Sequence, residues 1–304
     1  MTKFPTLALL ETPYWRDYEL LDSGDGSKLE RFGAYTFVRP EVQAMWKKKL
    51  SEKEWDSAHV IFQSTNEESG GHWLSKKKIP ERWEMEYSLA LNEGVKTIHF
   101  WTMTTPGRHL GVFPEVASHW DFMADAVQKA HRPAKILNLF GYTGLASLSV
   151  AAVGAEVTHV DASKKSVMWA RENQVLSKLE DKPIRWIVDD ALKFVQRESR
   201  RGAKYDGIIL DPPKFGRGPK GEVWEVYKSL PQLLDACAAV LSNHPLFLIV
   251  TVYAVKASAI HVGQVVESMM EKYHGQVDSG ELVTREKSGG RLLSQAVFAR
   301  WQSE

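Results

Sequence analysis

From residue 135 onward, short runs of apolar and β-branched residues alternate with longer stretches of helical periodicity. The short runs predict strands at 135–140, 156–161, 184–189, 205–211 and 246–253, and the longer stretches predict helices at 143–153, 164–178, 191–200, 226–241 and 258–273. Two further strands, at 276–284 and 291–301, flank Gly289 and Gly290 and are expected to run antiparallel to each other. This alternation predicts an α/β fold with a seven-stranded, mostly parallel sheet and helices on both faces.

The first part of the chain has a different pattern, with short strand-like runs and seven of the 11 tryptophans before residue 121. Gly24-Asp25-Gly26 lies between runs at 18–23 and 28–32 and predicts a hairpin turn, because these residues tolerate positive φ. Further strands are expected at 34–38, 59–62, 85–91 and 96–101. Pro133 marks a boundary, so we predict a smaller β-rich accessory domain at 1–130 and the sheet domain at 131–304.

Composition narrows the class of protein. The chain has 304 residues, 43% hydrophobic and 25% charged, so it can bury a core and is neither disordered nor fibrous. Its net charge of +1 combines −3 before residue 132 with +4 after it, which argues against a basic coat for nucleic acid over the whole protein. The apolar start is interrupted at Glu11, and no run approaches the ~20 residues that cross a bilayer, so we expect a cytoplasmic protein with no membrane partner. One cysteine excludes a disulfide framework and a cysteine-rich metal site, and we expect no metal.

The ends of the predicted strands carry the candidate chemistry, because ligands of such folds bind at the carboxyl ends of the strands. The first strand ends in the segment 138–144, directly before a helix, and its glycines have G-x-x-G spacing, which is not the dinucleotide pattern G-x-G-x-x-G. The candidate residues of this segment are Asn138, Phe140, Gly141, Tyr142, Thr143 and Gly144. The glycines would let the backbone approach a ligand, and the following helix N-terminus favours a negative group. A glycine turn between a strand and a helix is also common for purely structural reasons.

Acidic residues follow the second and third strands. Asp161, twenty residues beyond Gly141, is placed to reach ribose hydroxyls, with Ala162 and Ser163 beside it. Asp190, followed by Ala191, could accept from an adenine amino group. Helix capping by Asp161, Ser163 or Asp190 is the structural alternative in each case.

The fourth strand ends in Asp211-Pro212-Pro213-Lys214-Phe215, the most specific motif of the chain. Two prolines remove two backbone donors and restrict Asp211 to extended geometry. The rigid turn would aim the Asp211 carboxylate and a backbone carbonyl at one point above the sheet, which suits holding a nucleophilic nitrogen against a methyl donor.

Together these strand ends resemble the class I methyltransferases that use S-adenosylmethionine (SAM), which have a Rossmann-like fold. More narrowly, residues 85–255 resemble the bacterial 23S rRNA methyltransferase family that modifies cytosine C5 or guanine N7, through segments 138–144, 160–163, 170–173 and 208–213. The resemblance implies that SAM is bound by residues 138–144, by Asp161 to Ser163, by Asn173, by Asp190 with Ala191 and by Asp211. It also implies that Asp211, Pro212 and Lys214 are catalytic. It adds Glu115, in a loop at 107–115 that would close over SAM, and implies rRNA as the substrate. The RNA-binding PUA domain of some members has no room in this chain.

One departure from the family changes the expected chemistry. Methylation of cytosine C5 needs a cysteine thiolate that adds at C6. Tyr253 stands near the position of that cysteine, and Cys237 lies on an apolar helix face, where we expect a core thiol. We therefore predict methylation of a base nitrogen, which needs alignment and a dry site but no covalent help.

The residues after the prolines leave the acceptor contacts open. Lys214 displaces the expected aromatic by one position, so whether Phe215 stacks on a flipped base stays open. The loop at 216–221 is either a flexible lid that touches RNA phosphates or an ordinary solvated loop. Three rival functions also stay open: a SAM-dependent methyltransferase of protein or small molecules, an NAD-dependent oxidoreductase, and a non-catalytic RNA-binding protein.

Overall fold

A computed structural model describes residues 6–65, 70–92, 94–253 and 256–304. The strands are β1 Ala8–Glu11, β2 Tyr18–Gly24, β3 Ser27–Phe32, β4 Tyr35–Pro40, β5 Val60–Ser64, β6 Gly71–Ser75, β7 Trp83–Leu89, β8 Lys96–Thr102, β9 Lys135–Leu139, β10 Glu156–Asp161, β11 Ile184–Val188, β12 Gly207–Leu210, β13 Phe215–Arg217, β14 Val223–Glu225, β15 Phe247–Val252, β16 Gly275–Arg285 and β17 Leu292–Ser303. The helices are α1 Glu52–Asp56, α2 Ala117–Lys129, α3 Leu145–Ala152, α4 Lys164–Leu176, α5 Ala191–Arg200, α6 Val226–Val240 and α7 Ala259–Met270. None of the helices in these ranges is long and apolar enough to cross a membrane.

The main sheet has the order β1-β16-β17-β15-β12-β9-β10-β11. β17 runs antiparallel to both of its neighbours, and the other pairs are parallel, which confirms the predicted Rossmann-like α/β fold. The predicted number of strands is wrong by one, because β1 adds an eighth strand beside β16. Ala8 lies opposite Gly280, where a Cβ atom would come within 1.7 Å of the Ala8 carbonyl oxygen. The pairing of β1 with β16 therefore requires glycine at position 280.

Both faces of the main sheet are buried, which explains the continuous apolar runs of its strands. Neighbouring residues of β12 point to opposite faces, so Ile209 packs in the cluster that includes α2 and α3, and Leu210 packs in the cluster that includes α5, α6 and α7. Helix α2 was not predicted from the sequence, although Trp120, Met123 and Val127 recur at helical spacing on its buried face.

The N-terminal region forms a five-stranded sheet, β2-β3-β4-β5-β6, and a separate pair, β7-β8. The predicted hairpin turn is confirmed, since Asp25 and Gly26 have φ of 50° and 74° between β2 and β3. Tryptophans build the core of this region: the Trp15 ring centroid lies 5.1 Å from that of Tyr87 and 5.9 Å from that of Trp120 in α2. Because the aromatic core continues into α2 and the main sheet, the boundary at residue 131 stays a prediction.

The turn between β16 and β17 fastens the N-terminal sheet to the main sheet. Ser23 Oγ donates to Glu286 Oε2 at 2.6 Å, and Ser288 Oγ donates to Asp22 Oδ1 at 2.6 Å. Both contacts bridge more than 260 residues of sequence, so the two sheets are held by bonds that link distant parts of the chain.

The segment after the Asp211 prolines is more ordered than the flexible loop considered above. Residues 215–217 and 223–225 pair as an antiparallel hairpin, and only its tip is a turn. The hairpin places Lys214, Arg217 and Trp224 next to the carboxyl end of β12.

Candidate active site at the carboxyl ends of the strands

A cavity of about 790 Å³ opens at the carboxyl ends of β9, β10, β11, β12 and β15. This is the edge at which open α/β sheets bind ligands, and the volume is that of a small-molecule site. The predicted site residues that line the cavity are Glu115, Asn138, Phe140, Gly141, Tyr142, Thr143, Asp161, Ala162, Ser163, Asp190, Ala191, Asp211 and Lys214. Three other predicted site residues within the described ranges lie near the cavity but do not line it: Gly144, Asn173 and Pro212.

Every second residue in the turn after β9 has a positive φ. Phe140, Tyr142 and Gly144 have φ of 58°, 49° and 85°, all in the left-handed region. A Cβ atom on Gly141 would lie 2.4 Å from the ring of His159, so only glycine fits there. Two non-glycine residues with positive φ in one turn indicate a conformation that the surrounding contacts hold in place for function.

Asn138 supports this turn from below through a buried hydrogen-bond chain. Its amide donates to Ser147 Oγ at 2.9 Å, and Ser147 Oγ lies 3.0 Å from His159 Nδ1. Burial lowers the pKa of His159 to about 3, so the ring is neutral and fills the space under Gly141. The Asn138 side chain is therefore fixed at the cavity wall by packing that the sequence pattern did not reveal.

Asp161 joins the end of β10 to the glycine turn. Its Oδ2 accepts from the Tyr142 backbone N–H at 2.9 Å and its Oδ1 accepts from the Ser163 N–H at 2.8 Å. Burial raises the pKa of Asp161 in spite of these two bonds. Ser163, not Asp161, caps α4, since its hydroxyl accepts from the Ser166 N–H at 3.2 Å. Each Asp161 oxygen keeps a lone pair for a ligand hydroxyl.

The position of Asp190 is compatible with both helix capping and ligand binding. Its side chain caps α5 by accepting from the Lys193 N–H at 2.9 Å, and it also lines the cavity beside Ala191. The neighbouring Asp189 forms an ion pair with Arg197. Capping holds Asp190 in place and leaves acceptor capacity on its carboxylate.

Asp211 is the most perturbed acid of the cavity. Its Oδ1 is buried and finds no hydrogen-bond partner among residues that the structure describes. Burial, with a further contribution from the Glu115 charge, raises the pKa of Asp211 to about 8. A buried carboxyl group with an unmatched oxygen in a cavity is typical of a functional site.

The Trp224 side chain braces the proline turn. Its Nε1 donates to the Pro213 carbonyl at 2.7 Å, and its ring lies 4.8 Å from that of Phe140. Trp224 thus connects the Asp211 turn to the glycine turn, a link that the sequence analysis missed because Trp224 belongs to no motif.

Glu115 lies on the Asp211 side of the cavity. Burial raises the pKa of Glu115, although the charges of Lys28 and Arg39 oppose the shift. Lys28 and Arg39 come from the N-terminal sheet and also line the cavity. Arg39 is neutralised by Glu30, with Nε to Oε2 at 2.7 Å and Nη2 to Oε1 at 2.8 Å. The N-terminal region therefore completes one wall, which no sequence motif indicated.

Tyr253 follows β15 and forms an aromatic wall with Phe113 and Tyr142. The ring of Phe113 lies 5.4 Å from Tyr253 and 5.8 Å from Tyr142. The Tyr253 hydroxyl is buried and, within the described part of the chain, has no hydrogen-bond partner. Burial and the charges of Asp211 and Glu115 raise its pKa well above 10, so it stays protonated. The family segment around Tyr253 continues through residues 254 and 255, which lie outside the described residues.

Three other candidates do not line the cavity. Asn173 is fully buried behind the turn, where its amide donates to the Thr143 carbonyl at 2.9 Å and its Oδ1 accepts from the Trp101 N–H at 2.8 Å. Cys237 is fully buried in α6, and burial raises the pKa of its thiol, which agrees with a core residue. Phe215 is 59% exposed and is not among the described residues that line the cavity. The structure therefore does not place its ring where it could stack on a base bound in the cavity.

No protein-family model matches the chain. Among curated proteins, it is 36% identical over 111 residues to the ribosomal RNA large subunit methyltransferase K/L of Shewanella sp. strain ANA-3, and 35% identical over 113 residues to the ribosomal RNA large subunit methyltransferase I of Aeromonas salmonicida strain A449. These matches cover 36% and 37% of this chain, and the chain spans only 16% and 26% of the two relatives.

A solved structure matches much more of the molecule. The SAM-dependent methyltransferase of Agrobacterium tumefaciens is 46% identical, with a TM-score of 0.91 over 100% of this chain and 98% of the other. A cavity with a glycine turn, a half-buried Asp161 and an Asp-Pro-Pro turn is thus set in a fold shared along the full length with that protein. The chain belongs to the SAM-dependent methyltransferases.

Proposed function

We propose that this protein transfers the methyl group of SAM to a nitrogen atom of a base in RNA, with ribosomal RNA as the leading substrate. The observation that carries the proposal is the acceptor end of the cavity, defined by Glu115, Asp211 and Tyr253. It holds a buried carboxyl group at the end of β12 and a tyrosine, instead of a thiol, after β15. The names of the two curated relatives support RNA as the substrate class.

The donor end of the cavity, defined by residues 138–144, Asp161 and Asp190, fits SAM. Residues 138–144 would hold the methionine part along the glycine turn, and Asp161 would accept from the ribose hydroxyls with its remaining lone pairs. Asp190 would accept from the adenine amino group. Bound there, SAM supplies a methyl carbon made electrophilic by its sulfonium sulfur.

The acceptor end would position the nitrogen nucleophile. The Asp211 carboxylate would accept a hydrogen bond from an amino group and so turn its lone pair toward the methyl carbon. The Pro212 carbonyl, which the sequence predicts for the same role, belongs to a residue that does not line the cavity. As the nitrogen–carbon bond forms, the carbon–sulfur bond breaks and the nitrogen loses a proton. With a pKa of about 8, Asp211 can accept that proton near neutral pH.

The alternative chemistry at cytosine C5 has no nucleophile in this chain. The only cysteine is Cys237, which is buried in α6 with its thiol held protonated. Tyr253 cannot replace it, because its hydroxyl is also held protonated. Direct attack by nitrogen requires only the alignment described above.

Transfer of a radioactive methyl group from labelled SAM to total RNA and to total protein tests the proposal. We expect label in the RNA fraction, and mass spectrometry of the nucleosides should find an N-methylated base. Asp211→Asn is the matched inactive variant, because it keeps the shape of the side chain. Label in the protein fraction alone, or a C5-methylated pyrimidine, would overturn the proposal.

A further inference from the structure

The hairpin of β13 and β14 stands beside the mouth of the cavity and has two distinct faces. Its register pairs Gly216 with Trp224 and Arg217 with Val223. Because side chains alternate along a strand, Trp224 points to one face, while Phe215, Arg217, Val223 and Glu225 share the other, where Glu225 forms an ion pair with Lys228 at 2.6 Å. We call the second of these the outer face.

The inner side and the tip of the hairpin are fixed to the rest of the protein. Trp224 is buried and donates to the Pro213 carbonyl at 2.7 Å. At the tip, Glu222 Oε1 pairs with Lys193 Nζ of α5 at 2.7 Å, and Glu222 Oε2 accepts from the Lys220 N–H at 2.9 Å. These contacts make the hairpin a rigid platform, in contrast to the flexible lid that was one reading of the sequence.

The outer face and the tip of the hairpin expose apolar and basic side chains. Phe215 is 59% exposed and Val223 is 73% exposed. Arg217 and Lys220 are exposed and form no ion pair with any residue of the described ranges, and Arg217 also lines the mouth of the cavity. An exposed ring beside unneutralised cations is the combination that proteins use to hold unpaired nucleotides.

The position of the outer face adds a second argument. A base that enters the cavity must leave its own strand, and its flanking phosphates and neighbouring nucleotides then remain at the mouth. Lys214 follows the prolines and lines the cavity, and its Nζ lies 5.5 Å from the centroid of the Phe215 ring. The Phe215 ring is therefore adjacent to a residue of the cavity wall. Negative charge arriving there meets Arg217 and Lys220.

We propose that the outer face binds an unpaired nucleotide next to the methylated base, with the nucleotide base stacked on Phe215 and its phosphates near Arg217 and Lys220. This inference rests on the proposed function, and it narrows the substrate to RNA that is single-stranded at the methylation site. Recognition by stacking is tolerant of base identity, so the outer face contributes affinity for unpaired RNA more than sequence preference.

The binding test uses the full chain saturated with S-adenosylhomocysteine, and a short fluorescein-labelled oligoadenylate followed by fluorescence anisotropy. Phe215→Ala should weaken binding about tenfold, and Phe215→Trp should retain wild-type affinity. Tyr14→Ala is the matched control, since Tyr14 is 94% exposed and follows β1 at the edge of the main sheet. Its affinity should equal that of the wild type. Calorimetry with SAM should give unchanged affinity for Phe215→Ala, because Phe215 does not line the cavity.

The cations are tested by the dependence of affinity on salt. Lys220→Gln should reduce the slope of log affinity against log salt by about 1. Lys204→Gln should leave the slope unchanged. Lys204 lies before β12, at the amino ends of the strands and away from the cavity, and it donates to the Ala239 carbonyl.

The outcomes separate this inference from the proposed function. If the wild type methylates RNA but Phe215→Ala binds the oligoadenylate with wild-type affinity, the outer face is not a stacking surface. An equal loss of affinity for a blunt RNA duplex would also overturn it. A wild type that methylates no RNA would overturn the proposed function itself and remove the basis of the inference.

Discussion

The donor and acceptor ends of the cavity differ in the hydrogen bonds that their carboxyl groups receive. Asp161 at the donor end has a backbone N–H on each oxygen, whereas Asp211 Oδ1 at the acceptor end has no partner within the described ranges. The Tyr253 hydroxyl shares that condition. An unmatched buried polar group costs about 1–3 kcal/mol. Under the proposed function, we expect a substrate to supply the missing partners at the acceptor end, whereas the backbone already supplies them at the donor end.

The largest effect should follow a change at the unmatched carboxyl group. Asp211→Asn should lower the rate of methyl transfer about a hundredfold or more, because a preorganised acceptor is lost where charge changes during the reaction. Its affinity for SAM should stay within about twofold of wild type, since donor contacts lie elsewhere. Single-turnover rates and calorimetry measure the two quantities. A variant that loses SAM affinity but keeps its rate would remove the distinction between the two ends.

A smaller effect should follow removal of the matched carboxyl group. Asp161→Ala should weaken SAM binding about thirtyfold in calorimetry, because it deletes the ribose acceptor and loosens the turn at Tyr142. Ser258→Ala is the control for local stability: it should cost about 1 kcal/mol through loss of the α7 cap and leave SAM affinity close to wild type, because Ser258 does not line the cavity. An unchanged dissociation constant in Asp161→Ala would rule out the ribose assignment.

The acceptor end should also set the pH dependence. Since the pKa of Asp211 is raised to about 8, its carboxylate form increases as pH rises through that value, and the rate should increase about tenfold between pH 7 and pH 9. Glu115 and Tyr253 are the titratable groups whose charges interact with Asp211. Glu115→Gln removes the repulsive charge, lowers the pKa of Asp211 and should move the rise to lower pH. A profile that stays in place would show that Glu115 does not act on Asp211.

The smallest effect on activity is expected at Cys237, which belongs to neither end. Cys237→Ala should cost about 1–2 kcal/mol of unfolding free energy, because it leaves a small void in the α6 core, and should leave the methylation rate unchanged. Urea unfolding and the labelled-SAM assay measure both. A large loss of rate with normal stability would return a thiol to the mechanism.

The sequence predicted the parts of the fold and site that depend on local pattern. Alternating runs located the strands of the main sheet, and strand ends identified Gly141, Asp161 and Asp211 as neighbours, because parallel strands bring their carboxyl ends to one edge. The capping alternatives were also informative: Ser163 and Asp190 do cap their helices. Whether Asp190 also binds SAM stays a prediction.

The parts that sequence did not predict depend on contacts between distant residues. Arg39 lines the cavity from the N-terminal sheet while it is paired with Glu30, and Trp224 braces two turns that are far apart along the chain. The reason that Gly141 must be glycine is the ring of His159 in the next strand. Residues of this kind have no spacing rule, because tertiary packing decides their neighbours.

The pairing of β1 with β16 has a consequence for how the chain folds during synthesis. Thr12, just beyond β1, hydrogen bonds to Thr284 at 2.8 Å across 272 residues. During synthesis, β1 therefore leaves the ribosome long before its partner strand β16 has been made. Over the same interval the N-terminal sheet lacks its hydrogen bond to Glu286. Contacts of such long range slow folding. The catalytic cavity, which takes walls from both regions, becomes complete only after β16 has been made.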